Sequence, residues 1–145
     1  MEIVVVGSGY VGLCTAVGFA SFGNNVTCVD VDREKVNKIN AVQVPIYEKT
    51  LEEMLSEALR KKLLSATSDI NDIKSSDFIF IAVGTPSKND GSIDLKYIEK
   101  ASKDIADFIK YKSQDFNVLK SETSQTLGGL QKTDFFLNFL FWLMF

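Results

Sequence analysis

Histidine is absent from this 145-residue sequence, which removes the commonest general base and the commonest metal ligand of proteins. Cysteine is scarce: only Cys14 and Cys28 are present, too few and too far apart for a metal cluster or a disulfide framework. We therefore predict that both are buried thiols in a reducing cytoplasm. With these two residue types absent or scarce, we predict no metal site and no catalytic residue in this chain.

The sequence also lacks an excess of positive charge and a long apolar run. Its net charge is −3, without the basic field that nucleic-acid binding requires. Glycines interrupt the apolar amino terminus after Val6 and no basic segment precedes it, so no signal peptide is predicted. Residues 135–145 are apolar except for Asn138, but a membrane-spanning helix needs about 20 apolar residues. We expect this tail to promote self-association rather than membrane insertion.

What the sequence does contain is an alternation of strand-like and helix-like segments. Short apolar runs predict strands at 3–6, 26–29, 66–67, 78–83 and 116–119, and helical patterns predict helices at 10–22, 33–39 and 51–62 and after Asp94. Such alternation is typical of an α/β fold with a doubly wound parallel sheet, Rossmann-like. We predict a single domain over residues 1–112 and an atypical tail over 113–145.

Several helix ends carry recognisable signals. Gly23 suits the end of the first helix, Asp32 and Asp94 suit helix starts, and Thr50 begins a capping-box spacing. The last helix is predicted to bury an apolar face that consists of Leu95, Ile98, Ala101, Ile105 and Ile109.

A glycine-rich loop follows the first predicted strand and opens the first helix. Its glycines, Gly7, Gly9 and Gly12, fit the G-x-G-x-x-G pattern of dinucleotide-binding folds. Gly7 permits a tight turn, Gly9 lets a pyrophosphate approach the backbone, and Gly12 lets the helix lie close to the strand. The free N–H groups and positive dipole of the helix start then favour phosphate binding.

Asp30 ends the second predicted strand, 18 residues after Gly12, where an acid accepts hydrogen bonds from the adenosine ribose hydroxyls. Arg33 and Lys35 leave a 2′-phosphate possible, yet Asp30 favours NAD over NADP. Thr85 follows the fourth strand at the same predicted edge of the sheet, where its hydroxyl either faces the cofactor or merely belongs to a strand-ending turn.

Four segments in order resemble the amino-terminal domain of UDP-glucose 6-dehydrogenases, within a wider family that also oxidises UDP-N-acetylmannosamine and GDP-mannose. The resemblance covers about residues 1–112. The segments are Gly7 to Leu13, Val26 to Asp32, Pro45 to Glu48, and Phe80 to Pro86 followed by Asp90 to Asp94.

The resemblance implies an oxidation of the sugar C6 alcohol to a carboxylate with two NAD⁺ per turnover, through a thioester on a catalytic cysteine. It also implies that Tyr10 lies near the cofactor and the sugar cleft. The residues that it implies line the NAD site are Gly7, Gly9, Val11, Gly12, Asp30, Lys35 and Thr85.

The chain departs from the family pattern in two places. Lys49 and Thr50 stand where the family has Pro-Gly, and the Lys120-Ser121 segment is followed by residues unlike the family's Val-Pro-x-Gly-Thr. The family's catalytic cysteine, lysine and asparagine lie beyond the matching region, and neither cysteine of this chain takes that cysteine's place. We therefore predict an NAD-binding half that is inactive alone and meets a UDP-sugar only with the other half supplied.

Two alternatives stay open at this point. One is a stand-alone NAD-sensing module that uses the same glycine loop and acid without catalysis. The other is a membrane-associated interaction protein, which depends on the apolar tail alone. A disrupted reading frame would also explain the loss of the family pattern in the tail.

Overall fold

The computed structural model describes residues 1–44, 49–72, 76–112 and 117–120. Strands and helices alternate along this part of the chain. The elements are β1 (Glu2–Val6), α1 (Tyr10–Ser21), β2 (Asn25–Val29), α2 (Arg33–Asn40), α3 (Lys49–Arg60), β3 (Leu64–Thr67), a 3₁₀ turn (Ile70–Asp72), β4 (Phe78–Ile81), α4 (Lys96–Lys112) and β5 (Asn117–Lys120).

The five strands form one parallel sheet in the order β3-β2-β1-β4-β5. The chain builds β2 and β3 on one side of β1, then crosses over to build β4 and β5 on the other side. The sheet therefore has its topological switch point between β1 and β4, where such folds bind ligands outside the carboxyl ends of the strands. This architecture confirms the predicted doubly wound α/β fold.

The central strand β1 is buried on both faces, as a strand inside a parallel sheet should be. Ile3 and Val5 join a core cluster that includes Leu13 of α1 and Leu55 of α3. Val4, from the opposite face of the strand, joins a second cluster with residues of α4. Helices thus cover both faces of the sheet, and burial of these apolar side chains, worth about 1.5–3 kcal/mol each, stabilises both layers.

Some predicted boundaries are wrong. Helix α3 begins at Lys49, so Thr50 lies inside its first turn instead of capping it. Strand β4 ends at Ile81, two residues earlier than predicted, although Ala82 N still donates a hydrogen bond to Val6 O. Leu95 precedes α4 and is 47% exposed, so it does not belong to the buried face of that helix.

Other predicted ends are confirmed. Gly23 follows α1 with a φ of 83°, and Asp32 caps α2 by accepting hydrogen bonds from Glu34 N and Lys35 N. Asp94 accepts a hydrogen bond from Lys96 N at the start of α4. The strand predicted at 116–119 is present as β5, shifted by one residue.

The remaining local predictions have mixed outcomes. Cys28 is buried as predicted, whereas Cys14, on α1, is only partly buried because it lies at the margin of the core; neither is in a disulfide. No helix in the described ranges is long and apolar enough to cross a membrane. The Ile109 side chain and residues 121–145 lie outside what the structure describes, as does the Pro45 to Glu48 segment.

Candidate functional site

The turn after β1 is tight enough to require glycine at two positions. Gly7 has a φ of 101°, and its N–H donates to the carbonyl of Val29 at 2.7 Å. A Cβ on Gly7 would lie 2.6 Å from the carbonyl oxygen of Ala82, and a Cβ on Gly12 only 1.8 Å from the carbonyl oxygen of Gly7. Helix α1 therefore rests directly on the turn, with no room for a side chain between them.

Gly9 differs from these two glycines because its surroundings are open. A Cβ there would meet no atom within 4 Å, and Gly9 is the residue that precedes α1. It provides no side-chain acceptor for the amides of the first helical turn, and no acidic residue stands in that turn. The start of α1 thus presents N–H groups and the positive end of the helix dipole at an open glycine, an arrangement suited to phosphate oxygens.

Asp30 is bound to the glycine loop through Ser8. One carboxylate oxygen, Oδ2, accepts from Ser8 N at 2.7 Å and from Ser8 Oγ at 2.6 Å, while Oδ1 accepts from Asp32 N at 3.0 Å. Ser8 is 1% exposed and Asp30 is 9% exposed. The parallel pairing of β1 with β2, Val6 opposite Val29, brings the two residues together.

These contacts decide the charge state of the acid. Burial raises the pKa of the Asp30 carboxyl, but hydrogen bonds from Ser8 and from Asp32 N, with the nearby Lys35 charge, together lower it below its usual value. Asp30 is therefore a carboxylate at neutral pH. A carboxylate offers about four acceptor positions, and the three hydrogen bonds leave one for a ligand hydroxyl.

Helix α2 provides the cations of the site. Lys35 Nζ lies 4.0 Å from Asp30 Oδ2 and 4.0 Å from Asp32 Oδ2. A pocket of about 200 Å³ beside the glycine loop is lined by Ser8, Asp32, Glu34, Lys35, Lys38 and Ile39. The pocket thus combines acceptor and cationic groups next to Asp30, as an adenosine ribose site would.

The structure brings Gly7, Gly12, Asp30 and Lys35 into one neighbourhood by direct contact or close approach. The other predicted site residues lie on elements that border this neighbourhood. Tyr10 and Val11 begin α1, with Tyr10 43% exposed, and half-buried Thr85 follows β4, which pairs with β1. Their roles toward a cofactor stay predictions, as do those of the glycines, Asp30 and Lys35.

Ser8 is the residue that sequence reasoning missed. The signal available was a hydroxyl at the variable position between Gly7 and Gly9, opposite a strand-ending acid. Such a hydroxyl is common at a turn, and only the register of β1 and β2 shows that it reaches Asp30.

Cys28 lies two residues before Asp30 but offers no nucleophile. Burial and the Asp30 charge raise the pKa of its thiol to about 12, so the reactive thiolate is scarce at neutral pH. No group of three or more histidine, cysteine, aspartate or glutamate residues in the described segments is arranged to hold a metal ion. The arrangement is suited to binding a dinucleotide rather than to covalent chemistry.

Comparison with known proteins agrees with this geometry. Residues 1–127 match the model of the UDP-glucose/GDP-mannose dehydrogenase family, NAD binding domain. The chain is 43% identical over 110 residues to UDP-glucose 6-dehydrogenase of Rickettsia felis, covering 75% of this chain and 25% of that protein.

Two solved structures are similar as well. One is a ternary complex of GDP-mannose dehydrogenase from Pseudomonas aeruginosa, with a TM-score of 0.82 and 38% identity, covering 86% of this chain and 29% of that one. The other is a UDP-glucose dehydrogenase from Pyrobaculum islandicum, with a TM-score of 0.78 and 39% identity, covering 82% and 28%. The chain thus spans between a quarter and a third of the length of these relatives.

Proposed function

This chain belongs to the UDP-glucose/GDP-mannose dehydrogenase family as an NAD-binding domain, and we propose that it is the cofactor-binding half of a UDP-glucose 6-dehydrogenase. The observation that carries the proposal is the ionised Asp30 beside the glycine loop, at the switch point of the sheet. NAD accepts hydride in such enzymes, and the part of this chain is to bind and orient it.

The described residues fit NAD at three points. The open backbone at Gly9 and the start of α1 would hold the pyrophosphate. Asp30 would accept a hydrogen bond from an adenosine ribose hydroxyl, and its charge would repel the 2′-phosphate of NADP. Thr85, at the same edge of the sheet, would contact the cofactor from the β4 side.

Titration calorimetry of the 145-residue chain with NADH tests the proposal. We expect measurable but modest binding, and a much weaker signal from an Asp30→Ala variant. Asp90→Ala is a matched control because Asp90 also accepts two hydrogen bonds from one serine but is exposed on a loop. Absence of binding at millimolar NADH, or equal binding by the Asp30 and Asp90 variants, would contradict the proposal.

We further propose that this 145-residue chain by itself does not oxidise UDP-glucose. Thioester chemistry requires a thiolate, and the raised pKa of Cys28 and the position of Cys14 on the core-facing helix α1 do not favour one. NADH formation from UDP-glucose and NAD⁺ is the assay. Activity that survives in a Cys14→Ser/Cys28→Ser variant would show that another mechanism operates.

The regulatory alternative, an NAD-sensing module, would use the same site, and family membership is the reason to prefer the dehydrogenase proposal. A cytoplasmic location is part of the proposal and is supported by two cysteines that form no disulfide.

Self-association through the apolar tail is likewise a proposal that depends on the sequence of residues 135–145. Light scattering should show more copies per particle for the full chain than for residues 1–120, which retain β5, once each measured mass is divided by the mass of its own single chain. Equal numbers of copies would contradict self-association through the tail.

A further inference from the structure

Ser8 occupies an unusual position for a residue of a ligand-binding loop. Its neighbour Gly9 borders open space, yet the Ser8 side chain is buried and directed at Asp30. Both hydrogen-bond donors of Ser8, its N–H and its hydroxyl, bind the same carboxylate oxygen. Both donors of Ser8 are therefore used by the Asp30 carboxylate.

We propose that Ser8 is a specificity-determining positioning residue, which holds the Asp30 carboxylate against the glycine loop and thereby excludes the 2′-phosphate of NADP. The inference rests on the proposed function, because it assigns selectivity to the same NAD site. It adds a residue that acts through Asp30.

The hydrogen-bond donors beside Asp30 are not available to a phosphate. A 2′-phosphate is recognised by charge-assisted hydrogen bonds from N–H and O–H groups. Three donors beside the acid, Ser8 N, Ser8 Oγ and Asp32 N, are already bound to Asp30. A ribose hydroxyl, in contrast, donates to the position still vacant on Oδ1. Ser8 thus favours a ribose hydroxyl over a 2′-phosphate in two ways. It fixes the position of the Asp30 carboxylate as an acceptor, and its own N–H and hydroxyl are not available to bind a phosphate.

Two lysines near Asp30 could attract a phosphate. Lys35 Nζ lies 4.0 Å from Asp30 Oδ2, beyond hydrogen-bond distance, and Lys38 lines the same pocket. Both ammonium groups would attract a 2′-phosphate if the carboxylate turned away from the loop. The Ser8 hydroxyl is one of three donors that oppose that rotation, and removing it leaves Oδ2 with a single N–H donor.

The experiment compares Ser8→Ala, Ser8→Thr and Ser92→Ala in the full chain. Ser92 is the matched control because its hydroxyl also donates to an aspartate, Asp90, at 2.6 Å, but on an exposed loop. The measured quantity is the ratio of the NADPH to the NADH dissociation constant. Loss of one hydrogen bond to a charged group should lower that ratio about tenfold in Ser8→Ala. Ser8→Thr and Ser92→Ala should keep it.

A second measurement needs no cofactor. Carboxyl-detected NMR titration should show a higher Asp30 pKa in Ser8→Ala and a value near that of the unmodified chain in Ser8→Thr. The other titratable groups facing Asp30, namely Cys28, Asp32 and Lys35, are unchanged in every variant.

The outcomes separate this inference from the proposed function. If the unmodified chain binds NADH but the ratio of dissociation constants is unchanged in Ser8→Ala, the role of Ser8 is overturned and the proposed function is not. An equal weakening of NADH and NADPH binding in Ser8→Ala has the same meaning. No NADH binding by the unmodified chain overturns both proposals. If circular dichroism shows that Ser8→Thr is unfolded, Ser8→Cys replaces it, with similar volume and a weak donor. Ser8→Cys should then show the same fall in the NADPH-to-NADH ratio of dissociation constants as Ser8→Ala. An unchanged ratio in Ser8→Cys would overturn the inference.

Discussion

Two serine–aspartate pairs in this chain have nearly the same hydrogen bonds and opposite surroundings. In the loop pair, Ser8 N and Oγ donate to Asp30 at 2.7 and 2.6 Å. In the turn pair, Ser92 N and Oγ donate to Asp90 at 2.9 and 2.6 Å. The loop pair is buried and joins residues from the ends of two strands, whereas the turn pair is exposed and joins neighbours within one turn.

The difference shows that burial and connectivity, more than bond geometry, give such a pair its role. Water competes for every bond of an exposed pair, so the net contribution of that pair is small. The loop pair fixes an ionised group where solvent is largely excluded, and an unpaired donor there is costly. Only the loop pair can therefore hold a charge in place for a ligand.

The glycines of the two regions differ in the same way. A Cβ on Gly12 would overlap the carbonyl of Gly7, whereas a Cβ on Gly91, beside the turn pair, would meet nothing within 4 Å. Gly91 is needed only for its φ of 81°. The loop region is constrained by packing and the turn region by backbone conformation alone.

The largest expected effect is that of Gly12→Ala. Its Cβ would lie 1.8 Å from the carbonyl oxygen of Gly7, so α1 must move off the sheet. We expect a loss of about 4 kcal/mol or more in the free energy of unfolding. Gly91→Ala, the control, should lose about 1 kcal/mol through left-handed strain. Urea denaturation followed by circular dichroism measures both, and equal losses would contradict the difference between the regions.

The next effect is that of Asp30→Asn, which keeps an acceptor but removes the charge. We expect a loss of about 1–3 kcal/mol of stability at neutral pH, because buried donors lose a charged partner. Asp90→Asn, on the exposed turn, should leave the denaturation midpoint unchanged. Similar midpoint shifts for the two variants would count against a special role of burial.

The two acids should also differ in their pH dependence. The pKa of Asp30 is lower in the folded chain, so its contribution is fully present above the unfolded value of about 3.9. That contribution is lost as the pH falls through the folded value. Asp30→Asn should flatten the acid limb of the stability curve. Hydrogen bonds from Ser92 also lower the pKa of Asp90, but solvent weakens them at that exposed site, so Asp90→Asn should flatten the acid limb much less. An acid limb that is unchanged in Asp30→Asn would show that other carboxyls cause it.

The smallest expected effect is that of Lys35→Gln. Lys35 is half exposed and 4.0 Å from Asp30, so the ion pair should stabilise the fold by under about 0.5 kcal/mol. We expect affinity for NADH to fall only a few-fold, measured by calorimetry. A loss as large as that of Asp30→Ala would mean that the cation, and not the acid, dominates the site.

Much of the difference between the loop region and the turn region could be predicted from the sequence. The strands, the glycine loop and Asp30 carry local signals, such as β-branched runs and a G-x-G-x-x-G spacing, that depend on neighbours along the chain. The turn around Asp90 and Gly91 was also predictable, because its hydrogen bonds join residues that are close along the chain.

The contacts that were missed depend on the tertiary structure. The Ser8–Asp30 bond requires the parallel register of β1 and β2, which no local pattern encodes. The capping-box spacing at Thr50 predicted a helix start at residue 51, two residues later than the observed start at Lys49. Leu95 fits the apolar period of α4, yet the chain becomes helical only after it.

A crystal structure of the chain with NADH would test the central claim most directly. The account predicts that the adenosine ribose donates a hydrogen bond to Asp30 Oδ1, with the pyrophosphate against Gly9 and the Ser8–Asp30 bonds intact. A nucleotide bound away from the glycine loop, or a ribose held by Lys35 with Asp30 turned aside, would contradict it.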